Sequence, residues 1–358
     1  MREYIFILGR EPELSFLEII SYFKAQGVTY KVVEYKDEVA IFLLREFDSD
    51  ILIKRLGGTV KIAEVFMDYK YKGEENRLNW GISVYKGQGK ELRNYLTKEF
   101  KKENVKAMFR KAREKFFTPS EILAKHLLEF VVYGKYWAKT IAIFEPKWYK
   151  ERDETRPKQM LLHQVSLRLA RILINLSQAR ANLLDPYCGV GTILQEGLIS
   201  NLDVVGVDID EESVKASKKN LEWLKNKYNL KNKFKVIKGD AKGLTRYFKR
   251  NSIQGVATEP YLGPYHKKLP TREKVSGEVK NLERLYYGFL VQLRQILRKN
   301  GKVAIVFPRL KFHRGSKNLD VKEILKNSGF KVSNIDERVK LPIVSEGKFL
   351  DRLIYVLE

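Results

Sequence analysis

Residues 183–194 read LLDPYCGVGTIL, and this stretch decides the fold. An apolar run ends at Asp185, glycines follow at 189 and 191, and a second apolar run begins at helical spacing. That pattern describes a buried strand, a tight turn and the start of a helix. Glycines in such a turn let the backbone approach a ligand closely, and the helix N-terminus offers unpaired N–H groups. The spacing is not G-x-G-x-x-G and no Lys-Ser/Thr pair follows, which excludes a dinucleotide fingerprint and a P-loop. A strand–helix turn with incidental glycines is the plain alternative, and the particular form Asp-Pro-Tyr-Cys-Gly-x-Gly-Thr weighs against it.

Downstream, residues 202–210 (LDVVGVDID) place Asp208 at the tip of a second strand, 23 residues after Asp185. A carboxylate there can accept hydrogen bonds from ribose hydroxyls, while Asp210 or Glu211 is left to cap the following helix. Gly239-Asp240-Ala241 puts Asp240 at a third strand tip, where it can hold an adenine amino group or cap a helix. The fourth strand ends in GVATEPYLGPY, residues 255–265. Glu259, beside a loop stiffened by Pro260, can anchor an exocyclic amino group, and Tyr261 can stack on a base. A simple turn is the alternative, but the register with the preceding strand tips favours a substrate crevice.

These motifs lie in a regular alternation. Helices are expected at 161–177, 192–199, 211–224, 242–249, 276–298 and 320–328. Strands are expected at 181–184, 202–207, 234–237, 253–258, 302–307, 331–339 and 352–357. Such an order predicts a doubly wound, mostly parallel α/β sheet. Upstream, residues 1–72 read strand, helix, strand, strand, helix, strand, which suits a ferredoxin-like unit. Residues 73–147 form a second α/β module, with a strand at 80–85, helices at 90–102 and after Thr118-Pro119, and a hairpin around Gly134. A charged connector at 148–160 leads into a domain over 161–358.

The chain has 358 residues, with 68 Lys and Arg against 44 Asp and Glu, a formal charge of +24. Hydrophobic residues at 44% supply core material, so a disordered basic tail is excluded. Residues 1–150 hold 28 basic and 21 acidic residues, whereas 151–358 hold 40 and 23. Basic runs lie at 101–115, 215–238, 242–250 and 266–274. Any one of them can be a solvated helix face, but the total calls for a polyanionic partner, nucleic acid first. One cysteine, Cys188, and four histidines exclude a disulfide scaffold and a cysteine zinc site, and no metal is expected. Cys188 inside the glycine turn reads as a small buried thiol rather than a nucleophile. No run of 18 apolar residues and no signal-peptide pattern is present, so a cytoplasmic protein with no membrane contact is expected.

Taken together, LLDPYCGVGTIL, VVGVDID, GDA and ATEPYLGP resemble, in order, the motifs of class I S-adenosylmethionine-dependent N-methyltransferases. Within that class the chain is similar to THUMP-domain tRNA guanine-N2 methyltransferases, including the tRNA (guanine-10-N2)-methyltransferase family. YIFILGREPELS, WGISVY and ERDETRPKQMLLHQVSLRLARILINLS extend the likeness upstream. The resemblance implies a Rossmann-like catalytic domain with an antiparallel last strand, preceded by ferredoxin-like and THUMP-like RNA-binding modules. It implies that Asp185, Gly189 and Gly191 line the methionine end of S-adenosylmethionine, that Asp208 binds the ribose and that Asp240 binds the adenine amino group. Glu259, Pro260 and Tyr261 would form the catalytic motif. The family pattern there is Asp/Asn-Pro-Pro-Tyr; without gaps Glu259 replaces the acid, Tyr261 stands at the second Pro and Gly263 is in place. The implied partner is tRNA, and a monomer is expected. An rRNA or DNA amino-methyltransferase, and a non-catalytic RNA-binding protein with a cofactor-shaped domain, are the competing readings.

Overall fold

The structure, a computed structural model, describes residues 1–73, 76–159 and 165–358. Contacts divide it into two compact units, Met1–Phe16 with Thr29–Glu151 and Leu17–Val28 with Arg152–Glu358.

The first unit carries β1 (Arg2–Leu8), the opening turn of α1 (Pro12–Gln26), β2 (Tyr30–Lys36), β3 (Val39–Leu44), α2 (Ser49–Arg55), β4 (Thr59–Val65), β5 (Arg77–Lys86), α3 (Lys90–Lys102), β6 (Lys106–Arg110), α4 (Pro119–Ala124), β7 (Leu127–Tyr133), β8 (Tyr136–Ile143) and most of α5 (Pro146–Thr155). Local chemistry sets the boundaries. The Asp48 carboxylate accepts from the Ile51 N–H at 2.8 Å and starts α2. Thr118 and Glu121 form a reciprocal capping box ahead of Pro119, a pairing that satisfies two otherwise orphaned donors. The strands form one mixed sheet in the order β2-β3-β1-β4-β8-β7-β5-β6. Antiparallel pairing of β4 with β8 makes that sheet continuous across residue 72. At its centre Lys61, almost fully buried, donates to Glu129 at 2.6 Å and to the Phe117 carbonyl at 2.7 Å. Ser83 and Thr140 also donate to the Glu129 carboxylate, so this buried pair has the extra hydrogen bonds that such pairs require.

One strand of this unit was not expected from sequence. β6 lies inside the basic run 101–115, and its residues alternate between exposed and half-buried. It is an edge strand, where lysine and arginine are tolerated because they deter pairing with other chains.

The second unit carries α6 (Leu167–Leu176), β9 (Asn182–Asp185), α7 (Thr192–Ile199), β10 (Asp203–Asp208), α8 (Glu211–Tyr228), β11 (Phe234–Lys238), β12 (Ile253–Thr258), α9 (Arg272–Ile296), β13 (Leu297–Phe312), β14 (Gly315–Asn318), α10 (Val321–Ser328), β15 (Ile343–Ser345) and β16 (Leu350–Leu357). The main path of the sheet is β11-β10-β9-β12-β13-β16-β15, with β14 paired to β13. Strands β11 to β13 are parallel to their neighbours and β16 is antiparallel to β13. Numbered from β9 along this path, leaving out β14, the order is 3-2-1-4-5-7-6, with its switch point between β9 and β12. Open α/β sheets bind ligands beyond the carboxyl ends of the strands at such a point. One face is sealed by Tyr286, Phe289, Leu293 and Ile296 of α9, packed with Val303, Ile305 and Phe307 of β13.

Several expected elements move. The helix expected at 161–177 is α6, and its start at 161–164 lies outside the described residues, as does the connector's end at 160. Most of that connector is α5, not irregular chain. The short helix at 242–249 is a 3-10 turn over Ala241–Arg246. No strand spans 331–339: only the isolated bridges Val332↔Leu357 and Asp336↔Val339 occur there. Asp336 accepts from the Arg338 N–H at 3.0 Å and turns the chain, so the strand forms later, as β15.

Candidate active site

The glycine turn is built by backbone geometry. Gly189 and Gly191 have φ of +49° and +85°, a region that L side chains avoid. At Gly191 a Cβ would also lie 2.5 Å from Ser217 Oγ. A Cβ at Gly189 would meet nothing within 4 Å, so open space for a ligand lies against that backbone. Cys188 is buried beside it, and burial with Asp185 nearby pushes its thiol well above the ordinary range. That environment does not suit a nucleophile.

Four carboxylates occupy the carboxyl ends of four neighbouring strands. Asp185 ends β9 and is 1% exposed. Its Oδ1 accepts from Thr258 Oγ1 at 2.8 Å and from the Tyr187 N–H at 3.2 Å. Burial pushes its carboxyl up to about 7, with Asp208 and Glu259 adding to the rise. Asp208 ends β10 and accepts from the Gly189 N–H at 2.8 Å and the Asp210 N–H at 3.0 Å. It therefore fixes the glycine turn as well as facing the crevice. Asp240, just beyond β11, caps the 3-10 turn by accepting from the Lys242 N–H at 2.8 Å, with Lys242 Nζ at 3.6 Å. The capping alternative is thus realised, while its side chain remains 44% exposed.

Glu259 follows β12 and is almost buried. Arg352 on β16 donates to it from Nε at 2.6 Å and from Nη2 at 3.2 Å. Pro260 is buried beside it, whereas Tyr261 is half exposed. Tyr265, five residues further on than Pro260, is equally exposed and meets the Phe349 ring edge-on at 6.3 Å. Gly263 turns this loop at φ +109°. Two residues of the site were missed from sequence. Thr258 links the tips of β9 and β12 through Asp185, and its position directly before Glu259 was the available signal. Arg352 had none, since its partner lies 93 residues away.

The donor set fits a cationic, ribose-bearing ligand: carboxylates converge beside an open glycine turn and a helix N-terminus. Among the described residues no group of three or more His, Cys, Asp and Glu could hold a metal ion. None of the helices among them is long and apolar enough to cross a membrane.

Strand order and the antiparallel seventh strand are those of the Rossmann-like fold of class I S-adenosylmethionine-dependent methyltransferases. Residues 156–327 match the family described as UPF0020: RMKL-like, methyltransferase domain. Among curated relatives, the chain is 30% identical over 189 residues to the tRNA (guanine(10)-N2)-dimethyltransferase of Pyrococcus abyssi, covering 53% of this chain and 50% of that protein. It is 33% identical over 146 residues to the enzyme of the same name from Methanothermobacter thermautotrophicus, covering 40% of this chain and 38% of that one. The chain thus spans half or less of the length of these relatives. The crystal structure of TrmN from Thermus thermophilus covers 99% of both chains with a TM-score of 0.52 at 15% identity, a likeness of fold.

Proposed function

We propose that this protein transfers a methyl group from S-adenosylmethionine to the exocyclic amino group of a tRNA guanosine, forming N2-methylguanosine. The observation that carries this reading is the row Asp240, Asp208, Asp185, Glu259 at the ends of β11, β10, β9 and β12. The names of the two archaeal relatives support the choice of tRNA guanine.

S-adenosylmethionine, when bound, supplies an electrophilic methyl group on a sulfonium. Asp185, Gly189 and Gly191 would hold its methionine end, Asp208 its ribose and Asp240 its adenine amino group. The remaining chemistry belongs to the chain. A guanine amine is a weak nucleophile because its lone pair is delocalised into the ring. The Glu259 carboxylate and a main-chain carbonyl of the Glu259–Pro260 segment would accept its hydrogens, draw that lone pair toward the reacting face and receive the proton it releases. Tyr261 or Tyr265, both half exposed, would stack on a base turned out of its helix. The Thr258–Asp185 hydrogen bond ties this motif to the methionine-end carboxylate, so positioning supplies much of the acceleration.

The first unit would act as the RNA-docking part, with ferredoxin-like (1–72) and THUMP-like (73–147) portions. A groove beside β6 supports that role: Arg93, Lys101, Lys106 and Phe109 are among the residues that line it, and the Arg93 guanidinium lies 4.1 Å over the Phe109 ring. Cations grouped in this way suit phosphates.

Incubation with labelled S-adenosylmethionine and unmodified tRNA, followed by nucleoside identification, tests the reading. Labelled N2-methylguanosine is expected. Glu259→Gln is expected to lower transfer by about 100-fold or more while cofactor affinity changes little. Undiminished transfer by that variant would remove Glu259 from the mechanism.

A further inference from the structure

Glu259 is not free to swing. Both of its oxygens are engaged by one guanidinium, with the glutamate side chain 6% and the arginine 27% exposed. The arginine comes from β16, which pairs antiparallel with β13 in a register that sets Arg352 opposite Pro308. Successive side chains of a strand point to opposite faces. Asp351 accordingly pairs on the other side, with Arg309 and Lys311, and Arg352 reaches toward the end of β12. Among the described residues, Asp185 on β9 and Tyr286 on α9 are titratable groups that also feel the Glu259 charge. The Tyr286 hydroxyl donates to the Val306 carbonyl at 3.0 Å. Arg352 is therefore the cation that the structure sets against this carboxylate.

The pairing does not exhaust Glu259. A carboxylate offers about four acceptor sites and a forked arginine uses two of them. One site on each oxygen remains for an amine N–H. Glutamate is also one methylene longer than the Asp or Asn of the resembled motif, which gives it one more rotor to fix. We propose that Arg352 is a positioning residue for methyl transfer: its fork holds the Glu259 carboxylate in one orientation and aims the unused acceptor sites at the target amine. This rests on the amino-group role assigned to Glu259 above.

The test uses the full chain with Arg352→Gln, Arg352→Lys and, as a stability control, Arg309→Gln, which breaks the ion pair on the opposite side of β16. Single-turnover transfer to unmodified tRNA is measured, and affinities for S-adenosylmethionine and tRNA are measured separately. Arg352→Gln is expected to keep both affinities and to lose about 100-fold in transfer rate. Arg352→Lys, which keeps the charge but not the fork, should recover part of the rate. A glutamine variant that transfers at the wild-type rate overturns the proposal, and so does a control that loses as much rate as the glutamine variant. If the glutamine variant does not fold, a lysine variant at the wild-type rate overturns the proposal. Absence of transfer by the unsubstituted chain overturns the functional reading itself, and the role of Arg352 with it.

Discussion

Asp185 shows how a single residue can be costly to the fold and useful to the site. Its carboxyl is buried, and burial, then Asp208 and Glu259, push it up to about 7 against about 4 for an unfolded chain, despite its bonds to Thr258 and Tyr187. Between those values the native state keeps a proton that the unfolded chain has released. The fold must then lose stability as pH rises from about 4 to about 7. Asp185→Asn keeps an acceptor for both hydrogen bonds and removes the titration. The variant should melt at a higher temperature than the native sequence at pH 8, by the equivalent of about 2–4 kcal/mol, and the difference should vanish near pH 4. Its affinity for S-adenosylmethionine should fall in the same experiment, because the positively charged methionine end loses its anion; thermal melts and calorimetric titration across pH check both halves. At this scale the placement of the candidate residues could be read directly. Asp185 and Asp208 end β9 and β10 where apolar runs stop, and Asp240 follows β11 by two residues. Arg352 could not be read this way, because its role is fixed by strand pairing and not by its neighbours in sequence.

At the scale of elements, the glycine turn depends on how α7 is anchored. Glu196, in the middle of that helix, is fully buried between Arg152 and Arg171. Burial alone would raise its carboxyl; the two guanidiniums outweigh it and hold the group below its ordinary value. Removing one partner from a buried ionic cluster leaves uncompensated charge and costs about 3–5 kcal/mol. Glu196→Gln is therefore expected to lower the unfolding free energy, measured by denaturant titration, by an amount in that range, and far more than removal of the exposed Lys215–Glu212 pair. The same cluster explains why the connector departs from its sequence expectation. ERDETRPK looks like solvated chain because it is dense in charge, yet Arg152 and Arg156 turn inward, and Arg156 donates to Thr192 at the start of α7 at 3.2 Å. The departure at β6 has the same origin: charge suggests helix surface where it marks a strand edge. Elements with one clear apolar period, such as α7 and β12, fall where the sequence puts them, to the residue.

Over the whole molecule, the two proposed binding functions have opposite electrostatics. The chain carries +24, yet the crevice at the strand ends is lined by Asp185, Asp208, Asp240 and Glu259. A cationic donor is thus drawn to a local negative site within a positive protein, while a polyanion is drawn to the surface around it. The two ligands should respond differently to salt. Neutralising phosphates releases counterions, so the logarithm of the tRNA binding constant should fall linearly with the logarithm of salt concentration. With six or more phosphates neutralised, affinity drops by about 10³ or more between 50 and 200 mM. S-adenosylmethionine affinity should change by less than about threefold over the same range, since it binds in a partly buried crevice that salt screens little. Replacing Lys101 of α3 and Lys106 of β6 with alanine should lower the tRNA salt slope by about one for each phosphate that a lysine no longer neutralises, and leave cofactor affinity unchanged. Filter binding and calorimetry over a salt series measure the two responses on one preparation. A tRNA affinity independent of salt would show that the positive surplus does not serve nucleic-acid binding. An unchanged slope in the lysine variants would move the docking surface elsewhere on the protein, with the loop at 266–274 the next to test.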